Sequence, residues 1–248
     1  MNGARYTHHD FQKLSKTGKD EHYGDFCDHT VLKAFTTESF LKEFCQEAKQ
    51  YNAAAVCINP YNVTLVKKEL EGSGIKCAAV VGFPLGANRS EVKAFEAKLA
   101  VQDGADEIDM VINVAALRDK KYDYVRDEIK SVVEASRPSI VKVIIETCYL
   151  TDEEKVKACE LSKEAGAAFV KTSSGFGTGG ATVHDIELMR KTVGPDMGVK
   201  ASTGVDNREI AYAMIQAGAD RLGTSKSPYI VTDDTSFVLA SSKNKVNV

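Results

Sequence analysis

The chain has 248 residues, 43% of them hydrophobic, with a formal net charge of −3 at pH 7 and an isoelectric point near 6.0. That length suits one large α/β domain and that apolar share fills a core, while the acidic balance offers nothing to nucleic acid or an anionic membrane surface. No apolar run approaches a membrane span, residues 1–25 lack the apolar region of a secretory signal, and six cysteines without a C-x-x-C pair read as the reduced, mostly buried thiols of a cytoplasmic protein.

Residues 1–24 read as an extension ahead of the domain, with a short polar helix over 8–18. A first strand follows at 26–30, ending in polar residues. Residues 37–50 carry helical apolar spacing at Phe40, Leu41, Phe44, Cys45 and Ala48, with Thr37 as N-cap. A strand over 53–58 leads through Asn59-Pro60-Tyr61-Asn62 into a helix to about Glu71, and the next strand is 77–81. The helix over 90–103 stops at Gly104, as a C′ glycine should stop it. Strand 107–112, helix 122–135 and strand 141–145 come next. Thr151-Asp152-Glu153-Glu154 then opens a helix as a capping box, and that helix ends at Gly166.

The apolar run 168–170 reads as a short buried strand with Lys171 at its C-terminal end. A helix over 182–193, a strand over 198–200, a helix over 206–217 and a strand over 219–223 complete the alternation. A closing helix over 232–241 and a flexible tail over 242–248 finish the chain. Three units share one punctuation: Gly104-Ala105-Asp106, Gly166-Ala167-Ala168 and Gly218-Ala219-Asp220. Strands alternating with helices require a parallel sheet with right-handed crossovers. Eight such units without a linker, and without G-x-G-x-x-G after the first strand, make the fold α/β: a single-domain (β/α)8 TIM barrel over 25–241.

In a barrel the strand C-terminal ends share one mouth, where chemistry concentrates. Lys171 ends the sixth strand, ahead of Thr172-Ser173-Ser174-Gly175, and Lys200 ends the seventh, ahead of Ala201-Ser202-Thr203-Gly204. Desolvation lowers a lysine's pKa, and a second ammonium beside it lowers it further. A neutral amine attacks carbonyls, so the pair points to Schiff-base chemistry. Taken singly, Lys171 also fits a strand cap reaching water along its stem, and Lys200 an anchor for phosphate or carboxylate. Asp109, inside the apolar strand Ile108-Asp109-Met110, needs a charged partner, either as a proton relay or as a plain ion pair.

Glycine-bearing loops beside both lysines suit a phosphate, through backbone amides, hydroxyls and helix N-termini. One runs from Ser173 to Gly180 and contains Gly175; the others are Thr203-Gly204 and Gly223-Thr224-Ser225-Lys226. His8-His9-Asp10 and Cys27-Asp28-His29 lack the four-ligand spacing of a metal site.

Six segments together carry a resemblance to one family. They are Asp28-His29-Thr30-Val31-Leu32-Lys33, Val56-Cys57-Ile58-Asn59-Pro60, Val81-Gly82-Phe83-Pro84-Leu85-Gly86, Glu107-Ile108-Asp109-Met110-Val111-Ile112-Asn113, Glu146-Thr147-Cys148 and Phe169-Val170-Lys171-Thr172-Ser173. The chain from about Asp28 to Val231 resembles the deoxyribose-phosphate aldolases, metal-independent class I aldolases on a (β/α)8 barrel. The resemblance implies Lys171 as the Schiff-base lysine, Lys200 as the second lysine that perturbs it, and Asp109 as the acid of a proton relay. Asp28 and Thr30 would support that relay and Cys57 would stand in the pocket wall. The implied substrate is a phosphorylated sugar, with no cofactor and no metal, and the implied assembly is a homodimer or homotetramer.

Three departures all touch the implied phosphate site of Gly175, Thr203, Gly204, Ser225 and Lys226. The family's usual Lys-x-x-Gly-Gly is Lys200-Ala201-Ser202-Thr203-Gly204 here. Its Gly-x-Ser-Ser is Gly223-Thr224-Ser225-Lys226, and an arginine usual after the glycine pair gives way to Asp206-Asn207-Arg208. Lys226 would either add compensating charge or point to solvent. A C-terminal tyrosine that some members bring to the site has no counterpart in the tail to Val248. The altered loops leave open a lysine-imine aldolase for a different or unphosphorylated aldehyde, and, in another class, a barrel that binds without catalysis.

Overall fold

The computed structural model describes residues 7–245; residues 1–6 of the extension and 246–248 of the tail lie outside them. Eight parallel strands pair in sequence order and close on themselves. They are β1 (Cys27–Thr30), β2 (Ala55–Ile58), β3 (Lys76–Val81), β4 (Glu107–Val111), β5 (Ile140–Ile144), β6 (Phe169–Lys171), β7 (Gly198–Ser202) and β8 (Arg221–Thr224). The helices between them are α1 (Glu38–Gln50), α2 (Val63–Glu69), α3 (Ser90–Gln102), α4 (Val114–Arg118), α5 (Tyr122–Ala135), α6 (Asp152–Glu164), α7 (Val183–Val193), α8 (Arg208–Gln216), α9 (Ser227–Thr232) and α10 (Ala240–Lys243).

Side-chain chemistry marks where these elements start and stop. The Thr37, Thr151, Thr182 and Asn207 side chains accept the N–H three residues on and cap α1, α6, α7 and α8. The chain leaves α3, α6 and α8 through Gly104, Gly166 and Gly218, all at positive φ, where a side chain would strain the backbone.

Alternation along each strand divides the interior in two. Outward residues such as Val56, Ile58, Val143, Val170, Val199 and Leu222 meet helix residues such as Phe44, Ile129, Ile186 and Ile215 in the main core. Inward residues on β2 and β3 form a separate small cluster of Ala55, Cys57, Ala78 and Val80. At the barrel floor the Phe169 ring lies against Gly198, its register partner, where an added Cβ would come within 2.2 Å of the ring. Much of the remaining barrel interior is charged.

Two stretches differ from the sequence expectation. Residues 232–241 are not a closing helix. The helix lies earlier, at α9, whose Pro228 occupies a first-turn position where a missing N–H costs nothing. Beyond it Asp233 adopts φ 57, Thr232 Oγ1 accepts from Asp234 N, and Asp234 Oδ1 accepts from Ser236 N. These local side-chain turns compete with helix hydrogen bonds and win. The chain's end packs against the barrel: Ala240 N donates to Glu47 Oε2 and, within the expected tail, Asn244 Nδ2 donates to Thr36 Oγ1, each at 3.0 Å.

In the N-terminal segment, 3₁₀ turns at His8–Lys13 and Glu21–Phe26 replace the helix expected over 8–18. The buried Arg208 of α8 holds this segment down. Its guanidinium lies 3.9 Å from the Tyr23 ring centre and donates to the carbonyls of Ile230, Val231 and Ser15. Arg208→Ala removes three donors and the stacking at once. It should lower stability by about 3 kcal/mol, read as a fall in Tm of roughly 6–12 °C for a chain this size in circular-dichroism melts.

Candidate active site

The strand phase that points Ala55 and Cys57 inward also points Asp28, Glu107, Asp109, Lys142, Lys171, Lys200 and Arg221 into the barrel. The register sets them side by side: Asp109 opposes Lys142, Lys171 opposes Lys200, and Lys200 opposes Arg221. All are buried or nearly so, so their hydrogen bonds are made to each other.

Asp109 stands at the centre. Its Oδ2 accepts from Lys171 Nζ and from Lys200 Nζ, each at 2.8 Å, and its Oδ1 accepts from Lys142 Nζ at 2.8 Å. Lys142 Nζ also lies 2.5 Å from Glu107 Oε2 and 3.6 Å from Asp28 Oδ2. Lys200 binds Asp28 as well. Arg221 bridges Asp28 and Glu107, with Nη2 2.9 Å from Glu107 Oε1.

Three carboxylates therefore face four basic groups in a space with little access to water. Lys142, Lys200 and Arg221 each touch at least two carboxylates. Lys171, among the described residues, touches Asp109 alone, through an oxygen it shares with Lys200. Loss of one proton from Lys171 brings the whole group to neutrality, the state a low-dielectric interior favours.

The pKa directions follow the same asymmetry. Burial and the neighbouring Lys200 ammonium lower Lys171, and the attraction of Asp109 does not restore it. Burial opposes the charge of Lys200 too, but Asp109 and Asp28 together hold that amine above its ordinary value. Burial alone would raise Asp109; the Lys142, Lys171 and Lys200 ammoniums hold it well below the carboxylate range. The two lysines thus do not depress each other symmetrically. One amine is held above its ordinary pKa, and the other is held below it.

Above this cluster opens a cavity of about 320 Å³ whose lining includes Lys171 and Thr30. Gly175, Thr203, Gly204 and Ser225 also line it, as do Ser202, Gly223 and the C-terminal residues Ser241 and Asn244. Thr203 and Gly204 are consecutive at positive φ, 72 and 83, strained for a β-branched residue. Thr30 Oγ1 donates to the Asp28 carbonyl. Cys57 lies fully buried inside the barrel and is absent from the cavity lining, with burial raising its thiol pKa.

One phosphate candidate is placed elsewhere. Lys226 does not line the cavity; its Nζ is held 3.0 Å from Asp206 Oδ1. Arg208, near the position of the usual arginine, is spent on the carbonyls described above. Of the ligand-type clusters, Asp28 points into the barrel while His29 points out, between Glu47 and Ser227.

Sequence reasoning passed over Lys142, Glu107 and Arg221, each a charged residue in a short, mostly apolar strand. The signal that singled out Asp109 applies equally to Lys142 in Val141-Lys142-Val143. Glu146, in one of the segments that carry the family resemblance, stands at φ 56 just after β5. Its carboxylate accepts from the Ser174 amide at 3.2 and 3.3 Å and from the Ser174 hydroxyl, and so fixes the loop after Lys171.

Comparison with known proteins identifies the family. Residues 26–225 match the DeoC/LacD family aldolase model. A deoxyribose-phosphate aldolase of Clostridium tetani is 58% identical over 209 residues, covering 84% of this chain and 97% of the relative. That of Thermococcus gammatolerans is 59% identical over 210 residues, covering 83% and 93%. Among solved structures, the aldolase QR15 superposes with a TM-score of 0.79 at 42% identity, over 82% of this chain and 91% of its own. The tetrameric deoxyribose phosphate aldolase of Aeropyrum pernix gives 0.81 at 29% identity, over 92% and 97%. With a family match over most of its length and a closed eight-stranded barrel around paired lysines, the chain belongs to the DeoC/LacD family of aldolases.

Proposed function

We propose that this aldolase reversibly cleaves 2-deoxy-D-ribose 5-phosphate to D-glyceraldehyde 3-phosphate and acetaldehyde, with Lys171 as the Schiff-base residue. The observation that carries the reading is the unequal treatment of two neighbouring buried lysines. Of the two, Lys171 lines the cavity and has a lowered pKa, and Lys200 does neither.

Neutral Lys171 Nζ adds to the C1 aldehyde, and loss of water leaves an iminium. Asp109, with Lys200 beside it, takes the proton of the C3 hydroxyl as the C2–C3 bond breaks. The bonding pair flows into the iminium and leaves an enamine on Lys171, while C3 becomes the aldehyde carbon of glyceraldehyde 3-phosphate. Protonation of the enamine at C2 and hydrolysis then release acetaldehyde and restore the amine. A carboxylate as acidified as Asp109 is a weak base, so the iminium supplies most of the drive as electron sink. No separate cofactor is called for by this chemistry.

The phosphate end of the substrate belongs at Gly175, the Thr203–Gly204 turn and Ser225, where backbone amides and hydroxyls are the available donors. A homodimeric or homotetrameric assembly and a cytoplasmic setting belong to the same reading. The tetramer described for the Aeropyrum pernix relative supports the first. The absence, among the described residues, of a helix long and apolar enough to cross a membrane is compatible with the second.

Borohydride reduction with 2-deoxyribose 5-phosphate, followed by peptide mass mapping, should find the adduct on Lys171, with acetaldehyde released in the unreduced reaction. Lys171→Met should abolish both; an adduct on any other lysine, or none, defeats the reading. Because Lys171 titrates below the ordinary lysine value, trapping should rise with pH through that lowered pKa and then level off. Lys200→Met removes a cation that lowers Lys171, so the rise should move to higher pH. A profile unchanged in Lys200→Met would contradict the electrostatic account. Lys226→Ala should leave KM for the phosphorylated substrate within about twofold, since loss of a partly exposed ion pair costs little.

A further inference from the structure

Resting on the aldolase reading above, we propose that Ser202 is a specificity-determining residue whose hydroxyl binds the C4 hydroxyl of the sugar. Among the described residues, three buried hydroxyls lack a hydrogen-bond partner: those of Thr147, Ser173 and Ser202. Of these only Ser202 lines the cavity above Lys171. It is 4% exposed, and an unpaired hydroxyl so buried is costly unless a ligand completes it.

The backbone of Ser202, by contrast, is fully engaged. Its N–H donates to Thr172 Oγ1 at 3.1 Å, and its carbonyl accepts from Thr172 Oγ1 at 3.2 Å and from Ala181 N at 3.1 Å. The main chain is fixed at two points of the connection between β6 and α7, so the hydroxyl is presented rigidly. Opposite it in β8 stands Gly223, the register partner of Ser202. A Cβ there would lie 2.2 Å from Ser202 Oγ, so the bare backbone is what leaves the hydroxyl its place.

Position then selects the substrate atom. Ser202 shares the inward phase of Lys200 and lies two residues, about 7 Å, further toward the mouth. The Thr203–Gly204 turn assigned to the phosphate follows at once. Along the cavity the order is the Lys171 amine, then Ser202, then the phosphate turn. A substrate joined to Lys171 through C1, with its phosphate on C5, has hydroxyls at C3 and C4. The C3 hydroxyl belongs to Asp109 and Lys200, where the bond breaks, and the C4 hydroxyl is left for Ser202. A site built to pair a buried hydroxyl rejects the analogue that lacks it.

The test compares cleavage of 2-deoxyribose 5-phosphate with that of its 4-deoxy analogue. The wild-type enzyme should favour the natural substrate by at least roughly tenfold in kcat/KM. Ser202→Ala should lose roughly that factor on the natural substrate and stay within about twofold of wild type on the 4-deoxy compound. Ser202→Cys, nearly isosteric but a weak donor, should move the same way. Acetaldehyde reaches only Lys171, so borohydride trapping of acetaldehyde should be equal in all three proteins and certify folded, imine-forming barrels. Equal losses on both substrates, or no loss on either, would overturn the role of Ser202. A wild-type enzyme that traps no acetaldehyde would instead overturn the aldolase reading itself, and this assignment with it.

Discussion

The carboxylate of Asp109 is shared by three lysine ammoniums, and the chemistry of this barrel depends on that sharing. A buried carboxylate and a buried amine are each unfavourable alone. Gathered as three acids and four bases, they satisfy one another's hydrogen bonds and leave one positive charge in excess. The excess settles on the group with the fewest counterions, and that group is Lys171. The lowered pKa of its amine is therefore a property of the whole cluster, including Glu107 and Arg221, which do not line the cavity.

The closed barrel makes this possible geometrically. Parallel strands with period-two alternation send every second residue to a common axis. Six strands thus contribute charged groups to one axis: Asp28 from β1, Glu107 and Asp109 from β4, Lys142 from β5, Lys171 from β6, Lys200 from β7 and the bridging Arg221 from β8. The opposite phase buries aliphatic residues against the helices, so the polar interior rests on an outer layer that carries the hydrophobic stabilisation. Small residues on β2 and β3 leave the remaining interior volume apolar and compact.

The mouth is shaped by backbone more than by charge. Glu146 and the Thr203–Gly204 turn hold positive-φ conformations beside the cavity, and Glu146 pins the loop that follows Lys171. The C-terminal segment, tied to Glu47 and Thr36, brings Ser241 and Asn244 to the rim. Lys226 and Arg208, the cations that the sequence offered near the phosphate turn, are held by Asp206 and by main-chain carbonyls.

Much of this was legible from the chain alone, because it rests on local rules. Glycine after each helix, threonine before it, and short apolar runs between them marked the strand–helix alternation. A lysine or aspartate inside such a run marked Lys171, Lys200 and Asp109. Local rules failed where two of them competed: at residues 232–236, side-chain turns displaced the expected helix, and Pro228 had already started one. What only the tertiary structure decided is which charges meet. Lys142, Glu107 and Arg221 looked like ordinary strand residues until closure of the barrel set their side chains against Asp28 and Asp109. The difference between Lys171 and Lys200 lies in that count of counterions, because proximity across strands is fixed by register and closure, and one-dimensional spacing does not carry it.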